Sequence, residues 1–467
     1  MRHFRNGTLV LFSLAVTLGE TLASNSTAAY DPTKDYFPVK VKFESQAFAK
    51  FNITYHNSWI FLQYPNRERR NYVLYQHGTP KPQHLDPTDI PIEIPLGNVN
   101  IEYSSATSFL EMLGLRDHII NVKPVSISPA CLDSKNFTYG TQNATFTPKR
   151  TIRGPYVINI EAMPGLKPLV KLELLKFYAL FFNKEKEAHD VIKKIEDNYE
   201  CIKNRVAAAK EKSKPKVAWI TTARSPRYGV MYSEYINSYL NSLLEDADAQ
   251  PLFPYEGDDE YNGPTYSPAF TTAKLREIIR SADILVDMTA YSYENATFPS
   301  ASDVLRYYGL SETNTTLKFI KNKAIYRVDK RQTKWHRNEW DFESPVMPDA
   351  VLEDMANMAH PGLQENYSFH WMRNVFDQDK LSNLVVTNCP FPTKPLESVA
   401  YTCSATNFSS IGHSSAKDAP GISPSSTSNT AGNQTSSHEP KSHSGYGGST
   451  HTGPYVGLAF MLALALL

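Results

Sequence analysis

Residues 165 to 212, GLKPLVKLELLKFYALFFNKEKEAHDVIKKIEDNYECIKNRVAAAKEK, contain no proline or glycine after Pro168. Within them Ala188, Val191, Ile195, Tyr199, Ile202 and Val206 recur at steps of three and four residues. That spacing lays one apolar stripe along a helix. The run is longer than an ordinary globular helix, so it predicts one long helix followed by a second. A rod of this kind in the middle of a chain sets its amino-terminal half apart from its carboxyl-terminal half.

Both flanks alternate between strand and helix patterns. On the amino side, VNIEY (Val99 to Tyr103) reads as a short strand. SSATSFLEMLG comes next as a helix, with a Ser/Thr start, apolar Phe109, Leu110, Met112 and Leu113, and a terminal Gly114. LRDHIINV supplies a second strand, which completes a βαβ unit of a parallel or mixed sheet. On the carboxyl side the same logic gives strand KPKVAWITT, helix YINSYLNSLLEDA, and helix TTAKLREIIRSA capped by Thr271 or Thr272. Strands DILVDMT and NKAIYRVD come next, then helix PDAVLEDMANMAH, which ends at Pro361. The expected fold is α/β: two Rossmann-like lobes joined by one long linker helix, with a ligand cleft between them. The amino-terminal lobe is expected over 40–166, the linker region over 167–206 and the carboxyl-terminal lobe over 207–388.

The two ends of the chain speak to compartment. Arg2 and Arg5 precede a short apolar core, Leu9 to Leu18, and Thr21-Leu22-Ala23 offers small residues for cleavage. Residues 1–23 are therefore expected to be a secretory signal peptide, since ten apolar residues are too few to cross a bilayer. At the other end, Ser444 to Ser449 supply small residues, a polar spacer comes next, and Val456 to Leu467 are apolar to the last position. This is the order of a glycosylphosphatidylinositol (GPI) signal, with 448–467 removed and lipid attached at Gly447, Gly445 being the other candidate. Residues 404–447 carry almost no large apolar side chain and read as a Ser/Thr/Gly-rich stalk. The expected location is the extracellular face of the cell membrane, through the outer leaflet, or the cell wall. Asn52, Asn136, Asn143, Asn295, Asn314, Asn366 and Asn407 all stand in N-glycosylation sequons.

Four cysteines, Cys131, Cys201, Cys389 and Cys403, form an even set for an oxidising compartment. They allow three pairings. The expected one joins Cys389 to Cys403 across a short loop and leaves Cys131 with Cys201.

Charge and motif content exclude several classes. Forty-eight basic residues balance 48 acidic ones, whereas a nucleic-acid surface normally shows a basic excess, so no nucleic-acid partner is expected. The 13 histidines show no His-x-x-x-His pair and no His-rich loop, which disfavours a direct metal site. There is no Gly-x-Ser-x-Gly, Walker loop, His-Glu-x-x-His or strand-following Gly-x-Gly-x-x-Gly, so no enzymatic activity is expected.

Three segments together resemble one family. LEMLGLRDHIINV looks like the LxxLGxxDxIVGV segment of class III periplasmic binding proteins, with Gly114 and Asp117 in register. LELLKFYALFFNKEKEAHDV is similar to their linker helix, AEWIKFxAxFFNKExxA. SPVMPDAVLEDMANMAHP matches their closing RPDxxLxDLAxxLHP. YVLYQHGTPKP further resembles a segment of secreted fungal members, in which Cys is usual at the place of His77. With the stalk and lipid signal, the whole is similar to cell-surface ferrioxamine-binding proteins of filamentous fungi, over roughly residues 40 to 385. The resemblance implies a receptor for a ferric siderophore that supports iron uptake, with haem, cobalamin or a metal ion as the alternative ligand and a structural or adhesion role in the wall as a further one. No resident cofactor is implied, because iron arrives as a pre-formed ferric siderophore complex. Bacterial members carry a docking Glu on each lobe. No such pair is placed here, so a surface reductase or iron transporter is the partner implied by analogy.

In such a fold the ligand lies between the lobes, touched by loops at the carboxyl ends of strands. The loops SSAT, ARSPRYGVMY, AYSYENATF and DKRQTKWHRNEWDF bring Tyr103, Ser105, Arg224, Arg227, Tyr228, Tyr232, Tyr291, Tyr293, Trp335, His336, Arg337 and Trp340. Rings of this kind pack on the methylene arms of a hydroxamate ligand, while Arg and Tyr donate to its oxygens. Trp335, Arg337 and Trp340 are expected to line the mouth.

Overall fold

A computed structural model describes residues 30–63, 71–102, 106–122, 130–132, 144–148, 154, 156–160, 165–209, 214–225, 229–234, 237–252, 272–289, 299–333, 337–377, 382–384, 389, 393–401 and 403. The signal segment, the stalk and the lipid signal lie outside these residues. For 222–225, 229–234, 272–273 and 382–384 the backbone alone is described.

Two parallel-strand sheets carry the expected α/β character. The amino-terminal one is wholly parallel, in the spatial order Ile119–Val122, Val99–Ile101, Ala144–Thr147, Val157–Asn159. The carboxyl-terminal one is mixed. Lys216–Ser225, Ile284–Asp287 and Ile325–Arg327 run parallel, and Gly229–Glu234 and Arg373–Asn374 close its edges antiparallel. In the first sheet the inward residues Val99, Ile101, Ile119 and Phe146 are fully buried. Its crossover helix, Ala106–Met112, ends where the sequence places Gly114. Gly114 sits at φ +72°, Leu115 N–H donates to Leu110 O at 2.9 Å, and Gly114 N–H donates to Glu111 O at 3.0 Å. These two bonds make a Schellman cap.

A third sheet escapes the pattern reading. Asn52–Tyr55, Trp59–Gln63 and Tyr72–Gln76 form an antiparallel meander, and Ile90–Ile94 adds parallel to its last strand. Ile60, Leu62, Leu74, Ile92 and Ile94 bury its inner face. The Tyr72 hydroxyl accepts a hydrogen bond from Asn159 N–H at 2.8 Å, which ties this sheet to the edge of the next.

The linker region departs from expectation. In place of a long helix followed by a second, two short helices come first, Pro168–Leu172 and Leu174–Leu180, and the 25-residue helix Glu185–Ala209 succeeds them. The break falls at Asn183, whose φ of +54° no helix accommodates. The run Leu169 to Phe182 is therefore not the rigid rod. Its residues Phe177, Tyr178 and Phe181 are instead buried on all sides, packed on one another and on Phe146. The long helix shows the predicted stripe, with Ala188, Ile195, Tyr199, Ile202 and Val206 buried.

Helix Pro348–Ala359 packs against that long helix, and all twelve of its residues are buried, including three acids. Each acid accepts hydrogen bonds from chain outside its own helix. Asp349 accepts from Asn198 and Ser398, Glu353 from Tyr401 N–H at 2.9 Å, and Asp354 from Tyr367, His370, Trp371 and Met372.

The disulfide expectation is overturned. Cys131 pairs with Cys389 and Cys201 with Cys403, with Cα atoms 5.6 and 5.8 Å apart. Sequence proximity misleads here because 393–401 runs without helix or strand across the molecule and carries Cys389 and Cys403 to separate places. One continuous core includes residues from both lobes and the linker, such as Leu110, Phe181, Ile195, Trp219 and Leu352. A second lies under the outer face of the carboxyl-terminal sheet, around Leu285, Val304, Tyr308 and Phe319.

Candidate functional site

Segments that leave the carboxyl ends of the two sheets meet at one seam. Helix Ala106–Met112, which comes after strand Val99–Ile101, contacts Trp340–Glu343 and Ser344–Val346 of the other lobe. Ala130, beyond strand Ile119–Val122, donates its N–H to Glu339 Oε1 at 3.0 Å. The second half of the Trp-rich stretch thus forms the floor between the lobes.

The floor is acidic and buried. Glu111 comes from the amino-terminal lobe, and Glu339 and Glu343 from the other; none is more than 8 % exposed. Arg116 Nε donates to Glu111 Oε1 at 2.6 Å, and Trp371 Nε1 donates to Glu343 Oε2 at 2.9 Å. Burial pushes the Glu339 carboxyl well above the usual carboxylate range. The neighbouring charges of Glu343 and Glu111 add to that shift, and the Ala130 N–H and Arg331 oppose it.

Behind the floor stands an aromatic wall. Trp340 is 3 % exposed; its ring lies 6.0 Å from Trp219 and 5.9 Å, edge-on, from Trp371. This corrects the expectation that Trp340 lines an open mouth: its side chain is a core residue. In the helix Trp340–Glu343 the side chains of Trp340, Phe342 and Glu343 are all buried. Arg337 does keep partial exposure. It is held by a hairpin in which Thr333 N–H donates to Arg337 O at 2.8 Å and Arg337 N–H to Thr333 Oγ1 at 3.3 Å.

Beside the seam, at the carboxyl ends of Ile284–Asp287 and Ile325–Arg327, lies a closed charge network. Arg327 bridges Asp287 and Asp329, and Arg373 forks onto Asp329 at 2.9 and 3.0 Å. The Tyr308 and Thr289 hydroxyls complete Asp287. Burial alone would raise the Asp329 carboxyl, but Arg327 and Arg373 outweigh it and hold it below the ordinary value. Two buried acids against two buried guanidiniums balance in formal charge, so each buried charge has an opposite partner.

Tyr103, Ser105, Arg227, Tyr228, Tyr291, Tyr293, Trp335 and His336 lie outside the described residues. Arg224 and Tyr232 are described by backbone only, as cross-strand partners of Val230 and Thr222 in the edge hairpin. Of the sequon residues named above, Asn52, Asn314 and Asn366 are described and all three are exposed. Sequence reasoning missed Glu111, Glu339, Asp329 and Arg373. A usable signal existed in acids embedded in otherwise apolar helices, such as Glu111 in FLEML. Among the described residues no group of three or more His, Cys, Asp or Glu is disposed to hold a metal ion.

No family model and no curated protein matches the chain. Among solved structures, a periplasmic haem-binding protein from Pseudomonas aeruginosa is similar at 11 % identity and TM-score 0.40, covering 59 % of this chain and 97 % of its own. An Fe3+-hydroxamate transport protein from Saccharomonospora viridis is similar at 13 % identity and TM-score 0.38, covering 56 % and 93 %. A nickel-bound Helicobacter pylori protein shares 13 % identity at TM-score 0.37, covering 62 % and 91 %. Likeness at this level does not say what the present chain binds.

Proposed function

We propose that this protein is a binding protein for a small amphipathic ligand held between its lobes, and that the ligand is a ferric siderophore of the hydroxamate type. The observation that carries the binding reading is the seam itself: chain segments leaving the carboxyl ends of two parallel-strand sheets converge on one floor, where open α/β folds take their ligands. The ligand class is supported by the resemblance of the Gly114, linker and Pro348 segments to class III binding proteins, and by the density of arginine and tryptophan in the sequence of residues 329–342. A hydroxamate complex presents a coordinatively saturated iron, so the protein needs to supply packing and donors, not a metal bond. We further propose that the terminal signals place the chain on the outer face of the cell membrane through a GPI lipid, from where it passes its ligand to a surface reductase or transporter.

The test is a tryptophan-fluorescence titration of the full chain with ferrioxamine, hemin, cobalamin and free Ni2+ or Zn2+. Saturable quenching by ferrioxamine, with the ligand recovered unchanged, is the expected result. Saturation by hemin, cobalamin or a bare cation alone would replace the siderophore with that ligand, and no saturation by any of them would remove the binding reading.

A further inference from the structure

The chain does not stop when its fold is complete. After the last sheet strands it turns back, and its described residues 393–401 and 403 touch three separate parts of the molecule. Leu396 N–H donates to Glu111 O at 2.8 Å, at the end of helix Ala106–Met112. Beside it, Thr393 and Pro395 lie so close to Gly114 that a Cβ there would stand 2.7 Å from Thr393 O and 3.3 Å from Pro395 Cδ. Ser398 Oγ donates to the Asp349 carboxylate at 2.8 Å, and Tyr401 N–H to Glu353 at 2.9 Å, both on helix Pro348–Ala359. Cys403 N–H donates to Asn198 on the long helix, and the Cys201–Cys403 bond fixes the end there. Glu397 meets Lys194 of the same helix at 3.8 Å. The other end is fixed by Cys389 to Cys131, in the amino-terminal lobe.

We propose that residues 393–401, with Cys389 and Cys403, are a positioning strap: pinned by these two disulfide-bonded cysteines, it fastens helix Ala106–Met112 to the long helix and to helix Pro348–Ala359, and so sets the spacing of the lobes before any ligand binds. The physical case is the placement of its contacts. Helix Ala106–Met112 contacts the Trp340–Val346 floor, and the strap bonds its Glu111 carbonyl and packs on Gly114 just beyond it. Moving the lobes apart would break the helix's contact with the floor or its contact with the strap. The buried acids Asp349 and Glu353 each present an acceptor to the strap. The two cross-links tie the strap to the amino-terminal lobe at Cys131 and to the long helix at Cys201, across sequence separations of 258 and 202.

The affinity arm of the test rests on the proposed binding function; the exchange arm does not. The full chain would be compared with Cys201→Ser/Cys403→Ser, and with Ser398→Ala as a milder change that keeps both disulfides. Amide hydrogen exchange is read at Leu113, Gly114 and Leu115, together with the scattering radius and ferrioxamine affinity. We expect at least tenfold faster exchange at those amides and a larger radius in the cysteine pair variant. A smaller change of the same sign is expected in Ser398→Ala, and an affinity loss of about tenfold or more should accompany the exchange. Unchanged exchange and radius in both variants would overturn the strap. Faster exchange with unaltered affinity would overturn its role in pre-forming the cleft. Absence of binding in the unaltered chain would count against the ligand reading alone and leave the exchange result to judge the strap.

Discussion

Trp340→Ala separates a core residue from a ligand contact. Trp340 is 3 % exposed and shares ring contacts with Trp219 and Trp371. Truncating a buried Trp to Ala costs about 3–5 kcal/mol, which includes the ~0.5–1.5 kcal/mol that an edge-on aromatic pair adds to area burial. Unfolding entropy near 2.1 cal/mol/K per residue gives on the order of 0.8 kcal/mol/K for a unit the size of residues 30 to 403. The expected fall in Tm is therefore about 4–6 °C, measured by calorimetry. Arg337→Ala, at a partly exposed side chain, should cost about 1 kcal/mol or less. If the wall acts as a scaffold, the Trp340 variant loses stability while its surviving folded fraction binds ferrioxamine within a fewfold of the parent. A Tm within 1 °C of the parent, combined with lost binding, would refute the core assignment and return Trp340 to the ligand mouth.

Three further outcomes can be checked. Asp354→Ala strands the buried N–H groups of Trp371 and Met372, and the half-buried His370 N–H and Tyr367 hydroxyl. At about 1–3 kcal/mol for each unsatisfied group, denaturant unfolding should show a loss of roughly 4 kcal/mol or more, and a loss under ~1 kcal/mol would contradict the hydrogen-bond assignment. Burial pushes Glu185 from 4.5 up to about 7. Because the folded-state value is the higher one, ionisation disfavours the fold: the penalty is absent below about pH 4.5, grows to pH 7 and is full above it, on the order of 3 kcal/mol. Glu185→Gln should thus raise Tm at pH 8 and change it little at pH 4.5, and an equal gap at both would exclude this cause. Finally, phosphatidylinositol-specific phospholipase should release the protein from intact cells, whereas release by salt alone would eliminate the lipid anchor.

Local chemistry determines much of this architecture. A glycine after FLEML stops a helix because only the left-handed conformation satisfies the last carbonyls, and Gly114 takes it. Apolar steps of three and four residues named the buried face of Glu185–Ala209, and the parallel strands around Val99 and Leu285 could be read from their flanking helices. These are short-range constraints, written in neighbouring residues. Contacts that cross the chain were not legible in that way. Cysteine pairing depends on where residues 393–401 travel, and nothing in their composition states a direction. The fate of Trp340 was likewise open, since a tryptophan after a strand serves a cleft or a core equally well; the partner rings Trp219 and Trp371, 121 and 31 positions away, decided for the core. The linker broke at Asn183 because the aromatic run before it packs best as a globular layer, a preference that exists only once Phe146 and Tyr72 are in place. Backbone propensity acts within a few residues, but buried area and the pairing of buried charge are properties of surfaces that meet only in the folded chain.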